Sequence, residues 1–151
     1  MIFAFACTST RVVHNKPSKN NITGSWKLTG LSQSGNMVTD GNFLFDIVNV
    51  TCLEGSVWNF NIDKTSGTIV LDGSDCENRF RKIHWLIYEP GDGTVNFQFK
   101  YVAAGDETPN KDSKGFQTNI DKMDDATMVM HTNSGKENIS DTILTFSKIT
   151  P

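Results

Sequence analysis

The chain is poor in the residues that build helices. Its 151 residues include five Ala, seven Leu and five Glu, against 52 of the β-favouring Val, Ile, Thr, Phe, Trp and Tyr. A mainly helical protein is therefore not expected. Fourteen Asn and twelve Gly supply residues suited to tight turns. Composition and length together predict one all-β domain with many turns.

Long apolar runs and excess positive charge are also absent. No run of about 18 apolar residues occurs, so the sequence encodes no transmembrane helix. The net charge is −3, and residues 1–21 carry three basic side chains and no acidic one. The remainder therefore has 11 basic and 17 acidic residues, a balance of −6. Because nucleic-acid-binding domains present a basic surface, we expect no nucleic-acid partner.

The chain lacks the common motifs of catalysis. It has neither the Gly-x-Ser-x-Gly pattern of a nucleophile elbow nor a phosphate-binding loop. The three histidines, which have no partner at metal-ligand spacing, are His14, His84 and His131. Acidic residues cluster at 72–77 and 124–125, where turn formation explains them better than acid–base chemistry. We therefore expect a non-enzymatic protein with no cofactor and no metal.

The first residues of the chain suggest an export signal. Within residues 1–7, the first six are apolar and end in the small residue Ala6. Cys7 comes next, and a polar run follows it. This segment resembles the end of a bacterial lipoprotein signal, in which the Cys after a small residue receives the lipid. The resemblance implies that Cys7 anchors the protein to a membrane of the bacterial cell envelope, on its periplasmic or surface face. A frayed N-terminus with a free thiol is the alternative, and residues 8–21 read as a flexible tether in either case.

The cysteine count is odd. If Cys7 carries a lipid, Cys52 and Cys76 remain as a pair. Both lie in turn-like stretches that flank a predicted hairpin. We expect them to form a disulfide that closes a loop of about 25 residues. Two separate buried thiols are the alternative.

Apolar and polar residues alternate along the chain from Gly24 onward, most clearly from Val95 to Tyr101. The alternation and the turn signals predict eight strands, at 24–31, 56–62, 67–71, 81–88, 94–102, 115–121, 127–132 and 141–149. Residues 42–50 fit either a strand or a short helix. Eight sequential strands with mostly short connections predict an antiparallel up-and-down barrel. A sandwich would need longer crossovers.

The strand order is similar to that of lipocalins. The run Gly24-Ser25-Trp26-Lys27-Leu28 resembles the Gly-x-Trp signature that opens the first lipocalin strand. The order of the segments that follow resembles that in small lipocalin-like domains of bacterial lipoproteins. These segments are Cys52, Trp58-Asn59-Phe60, Gly67, Cys76, Trp85-Leu86-Ile87 and Leu144-Thr145-Phe146-Ser147-Lys148. The resemblance covers about residues 22–149 and implies a lipocalin-like barrel domain at 22–151, of the kind found in bacterial lipoproteins. It departs from the family in the last strand, where Lys148 is the cation nearest the place of the usual Arg.

One face of the predicted strands is lined by large apolar side chains. These candidate ligand-binding residues are Trp26, Leu28, Trp58, Phe60, Trp85, Phe97, Phe99 and Met128. In a closed barrel they converge on the interior, where they either form a calyx for a small hydrophobic molecule or simply fill the core. The first hypothesis is a monomeric, lipid-anchored binding protein.

Two other hypotheses remain open. The second is an interaction or inhibitor module with a solid barrel, whose exposed loop 103–114 contacts an envelope protein. The third is an outer-membrane barrel, whose lipid-facing surface must be apolar. The predicted outward-facing residues oppose it, and they are Lys27, Lys82, Asn96, Gln98 and Lys100.

Overall fold

The computed structural model describes residues 17–33, 44–47, 50–132 and 141–150. The eight strands are β1 Gly24–Gln33, β2 Val57–Phe60, β3 Ser66–Val70, β4 Phe80–Tyr88, β5 Asn96–Val102, β6 Gly115–Met123, β7 Thr127–Thr132 and β8 Thr142–Ile149. The helical segments are α1 Lys19–Ile22 and two single 3-10 turns, Val50–Cys52 and Asp63–Thr65. No helix in the described ranges is long and apolar enough to cross a membrane.

The strands form the predicted closed barrel. Each strand pairs antiparallel with the next, and β8 returns to pair with β1 from Ser25–Ile149 to Gln33–Thr142. All eight predicted strands are present, with ends that differ from the prediction by at most two residues. Closure pairs every described strand on both sides, which protects the sheet edges from association with another sheet.

The alternation along the strands separates a core from an outer surface. In β5, Phe97 and Phe99 are buried, and Gln98 and Lys100, which follow them in turn, are partly exposed. Asn96, predicted to face outward, is buried instead. Successive side chains of a strand point to opposite faces, so the aromatic rings of β5 all enter the barrel. The same rule holds in β8, where Phe146 is fully buried.

The two ends of the barrel differ. Helix α1 lies at the end where β1 begins: the Ser18 side chain accepts a hydrogen bond from the Asn21 N–H and caps the helix, and Ile22 is fully buried. Residues 19–21, predicted as the last part of the tether, thus belong to this helix. The connections β1–β2, β3–β4, β5–β6 and β7–β8 all leave from the opposite end, which we call the mouth.

The predicted disulfide is confirmed. Cys52 and Cys76 are bonded with their Cα atoms 5.9 Å apart, and they join the β1–β2 connection to the β3–β4 connection. Of the ambiguous segment 42–50, residues 44–47 form a reverse turn. Cys7, the predicted lipidation site, lies outside the described residues.

Candidate functional site

All eight candidate ligand-binding residues lie in the barrel interior. Six of them have no exposed surface, and Trp58 and Phe99 are 1% and 2% exposed. The rings of Phe60, Trp85 and Phe97 contact one another, with centroids 5.3 to 6.2 Å apart. At such distances aromatic rings are in direct contact, so these three fill the barrel at their level.

The three indole N–H groups are each bound to a nearby oxygen. Trp26 donates to the Ile22 carbonyl at 2.8 Å, and Trp85 donates to a backbone carbonyl at 2.8 Å. Trp58 donates to the Ser56 hydroxyl at 2.9 Å. The Lys148 ammonium lies 5.2 Å from the centroid of the Trp26 ring, in a cation–π contact. These bonds fix the orientation of the indoles in the core.

A strained turn lies at the mouth. In the reverse turn 44–47, the Ile47 N–H donates to the Leu44 carbonyl at 3.0 Å. Its two central residues, Phe45 and Asp46, have φ angles of 56° and 57°. Two-residue turns with positive φ usually contain Asn and Gly, and a bulky residue in this conformation costs about 1–3 kcal/mol. Contacts with the rest of the barrel must therefore hold Phe45 in place.

Aromatic side chains supply these contacts. The Phe45 ring lies 5.9 Å from Trp58, 5.2 Å from Phe99 and 5.8 Å from Phe116, in edge-to-face geometry at 68° to 82°. Tyr101 in turn contacts Phe99 and Phe116. We call Trp58, Phe99, Tyr101 and Phe116 the mouth cage. Phe45 is only 5% exposed within it.

Tyr101 binds the turn directly. Its hydroxyl donates a hydrogen bond of 2.7 Å to the Phe45 carbonyl. Burial raises the pKa of Tyr101 to about 12, although the Arg81 guanidinium, 5.1 Å from the ring centroid, acts in the opposite direction. The phenol is thus a reliable donor at neutral pH. An ion pair of 3.5 Å between Lys114 and Asp46 is well exposed and contributes little.

A second concave surface lies outside the barrel, over β4, β5 and β6. It is a groove of about 420 Å³, lined by His84, Leu86, Gln98, Phe99, Lys100, Pro109, Gly115, Phe116 and Gln117. Pro109 belongs to loop 103–114, most of which is exposed, as predicted. The Lys82 ammonium donates to the Asp106 carbonyl at 2.7 Å and so ties the loop to β4.

The polar clusters noted in the sequence make local contacts. His131 Nδ1 lies 2.7 Å from the Asp121 carboxylate, and His84 Nε2 lies 2.8 Å from the Thr65 hydroxyl. The Asp124 carboxylate accepts bonds from two backbone N–H groups of its own turn, as the turn interpretation predicts. Within the described part of the chain, no group of three or more His, Cys, Asp or Glu could hold a metal ion.

No family model, curated protein or solved structure matches this chain. The lipocalin resemblance therefore remains a prediction from short motifs, while the barrel topology is confirmed. Barrels of one topology serve many functions, so the function has to be argued from the mouth and its side chains.

Sequence reasoning found half of the mouth cage. Trp58 and Phe99 were among the candidate residues, whereas Tyr101, Phe116 and the enclosed Phe45 were not. Tyr101 continues the alternation of Phe97 and Phe99, so that signal was present in the sequence. The strand interpretation of residues 42–50 placed Phe45 on one apolar face with Ile47, but the helix interpretation did not, so the sequence left the position of the Phe45 ring open.

Proposed function

We propose that this protein is a lipid-anchored, non-enzymatic binding protein of the bacterial envelope, with a lipocalin-like barrel that binds a small hydrophobic molecule at its mouth. The observation that supports this is the mouth cage. The cage contacts the ring of Phe45, which comes from outside the strands. The ring contacts among Phe60, Trp85 and Phe97, in contrast, all join strand residues.

Binding would be driven by removal of the ligand from water. Each buried methylene contributes about 0.8 kcal/mol, and micromolar affinity corresponds to about 8 kcal/mol, so a ligand of modest size suffices. The Arg81 guanidinium, which lies 5.1 Å from the centroid of the Tyr101 ring, would orient a polar end of the ligand. Arg81 is half-buried on the same strand face as the buried Ile83.

The disulfide supports the proposed location. Disulfides persist in oxidising compartments, and the Cys52–Cys76 bond accounts for two of the three cysteines. Cys7 is left as the lipid acceptor that its sequence context predicts. We expect the Cys7→Ser protein to leave the membrane fraction and stay soluble without detergent. If it stays in the membrane fraction, the anchor proposal fails.

Tryptophan fluorescence tests ligand binding. Titration with fatty acids of several lengths and with neutral aromatic compounds should produce a saturable change in the wild type. Trp58 should report it, because Trp58 belongs to the mouth cage. The change should therefore vanish in Trp58→Phe and persist in Trp85→Phe, the matched control with an equally buried indole away from the mouth. Absence of a saturable response to every compound would refute the proposal.

The outer groove favours a second candidate function, an interaction or inhibitor module. Loop 103–114 and strands β4 to β6 together form a concave surface that could receive a segment of an envelope protein. Pull-down from envelope extract separates the two functions. A partner that is lost on deletion of loop 103–114 and retained by Trp58→Ala would favour the module, while a partner that is retained after deletion of the loop would count against it.

A further inference from the structure

Phe45 lies in a different kind of segment from the rings that surround it. The other rings belong to strands, whereas Phe45 comes from a connection and enters the cage from the mouth. Its backbone adopts an unfavourable positive φ to do so. The ring therefore occupies a place in the barrel that the strand residues alone leave open.

We propose that the Phe45 ring occupies the ligand-binding site of the unliganded protein, and that the ligand carries a phenyl-sized aromatic ring that replaces it. This inference rests on the proposed function and names the chemical class of its ligand. In the unliganded protein, Phe45 closes the mouth cage; in the liganded protein, the ligand's ring lies between Trp58, Phe99 and Phe116.

The geometry of the cage favours an aromatic ligand over an aliphatic one. Trp58, Phe99 and Phe116 each meet Phe45 edge to face, at interplanar angles of 72°, 68° and 82°. Edge-to-face contacts depend on the opposite charge of ring edges and ring faces. A saturated ring of the same size would fill the volume and lose these contacts.

A ligand would have to compete with the attachments that the described residues give the Phe45 turn. They include the Tyr101 hydrogen bond to the Phe45 carbonyl, the exposed Asp46–Lys114 ion pair and the packing of the buried Ile47. Withdrawal of Phe45 would release the strained backbone. When a site is open in only a fraction of molecules, the apparent Kd equals the intrinsic Kd divided by that fraction. Weakening the closed state should therefore tighten ligand binding.

Benzyl alcohol and cyclohexylmethanol are a suitable pair of probes, because they have the same skeleton and differ in aromaticity. Binding is followed through the NMR signal of the Trp58 indole N–H during titration. In Phe45→Ala, benzyl alcohol should bind at least tenfold more tightly than in the wild type. It should also bind severalfold more tightly than cyclohexylmethanol.

Tyr101→Phe tests the same inference without opening a cavity. It keeps the ring contacts with Phe99 and Phe116 and removes the hydroxyl that donates to the Phe45 carbonyl and interacts with Arg81. We expect the apparent Kd for benzyl alcohol to fall at least threefold. Tyr88→Phe is the matched control, since Tyr88 is half exposed on the outer face of β4, and it should leave the Kd unchanged.

The outcomes separate this inference from the proposed function. If neither Phe45→Ala nor Tyr101→Phe binds benzyl alcohol more tightly than the wild type, the inference is overturned, even where the wild type binds a fatty acid. If Phe45→Ala binds the two probes with equal affinity, the proposal that the ligand is aromatic is overturned. If both variants gain affinity for benzyl alcohol but the wild type binds no compound at all, the aromatic site is real and the proposed function fails.

Discussion

The barrel requires a glycine at position 67, because it leaves no room there for a side chain. Gly67 pairs with Phe60 on β2, and a Cβ atom there would overlap the Asn59 carbonyl oxygen and press on the Ile83 side chain. Backbone cannot move aside as a flexible side chain does. Gly67→Ala should therefore lower the free energy of unfolding by about 2–3 kcal/mol, measured by urea denaturation.

Gly30→Ala is the control for this prediction. Its added Cβ would lie 3.6 Å from the Thr145 Cβ, an ordinary contact distance. The variant should therefore unfold within about 1 kcal/mol of the wild type. Equal destabilisation by the two substitutions would contradict the close approach at Gly67.

Tyr101 should make stability depend on alkaline pH. The pKa of Tyr101 is raised to about 12 in the folded protein, against 10.0 for an exposed phenol. Between these values the unfolded chain releases the proton and the folded protein keeps it, so unfolding is favoured as the pH rises. The stabilisation is complete below about pH 10, and up to about 2 kcal/mol of it is lost by pH 12.

The measurement is the unfolding free energy of the wild type and Tyr101→Phe from pH 9 to 12. Lysines titrate in the same range in both proteins, so the difference between the two curves isolates Tyr101. The advantage of the wild type should shrink as the pH rises. A constant difference would show that the phenol titrates alike in both states.

At the scale of elements, the start of β2 depends on one buried hydroxyl. Ser56 is fully buried and accepts the Trp58 indole N–H. Ser56→Ala leaves that N–H without its acceptor, and we expect a loss of about 1–3 kcal/mol in thermal or urea unfolding. Ser66→Ala is the control, because Trp85 donates to the backbone carbonyl of Ser66, which the substitution retains. An equally large loss in Ser66→Ala would contradict the stabilising role assigned to the Ser56 hydroxyl.

The strands were predictable from the sequence, and the turn at residues 44–47 was not. In β5 and β8 the alternation is local, so each strand could be located without knowledge of its partners. The segment 42–50 matched two periodicities, yet its described turn is neither a strand nor a helix. Its conformation depends on Tyr101, which lies 56 residues away along the chain. Likewise, α1 forms from tether-like residues where Ile22 is buried beside Trp26.

For the whole molecule, the disulfide should be a main source of stability. Cys52 and Cys76 are separated by 24 residues, and closing a loop of that size restricts the unfolded chain by about 3.5 kcal/mol. The double variant Cys52→Ala, Cys76→Ala should lose about that free energy of unfolding. Added reductant should destabilise the wild type and leave the double variant unchanged. If reductant has no effect on the wild type, the disulfide does not contribute to its stability.

The sequence by itself determined the strand pattern, the eight-stranded barrel and the pairing of Cys52 with Cys76. The first two follow from residue periodicity and short connections, and the pairing was expected once Cys7 was set aside as the proposed lipid acceptor. Only the tertiary structure decided which rings fill the core and which surround Phe45, since that depends on how closure brings distant strands together. The periodicity of a strand shows which side chains point inward. It does not show how far along the barrel they lie, or which side chain from a connection meets them there.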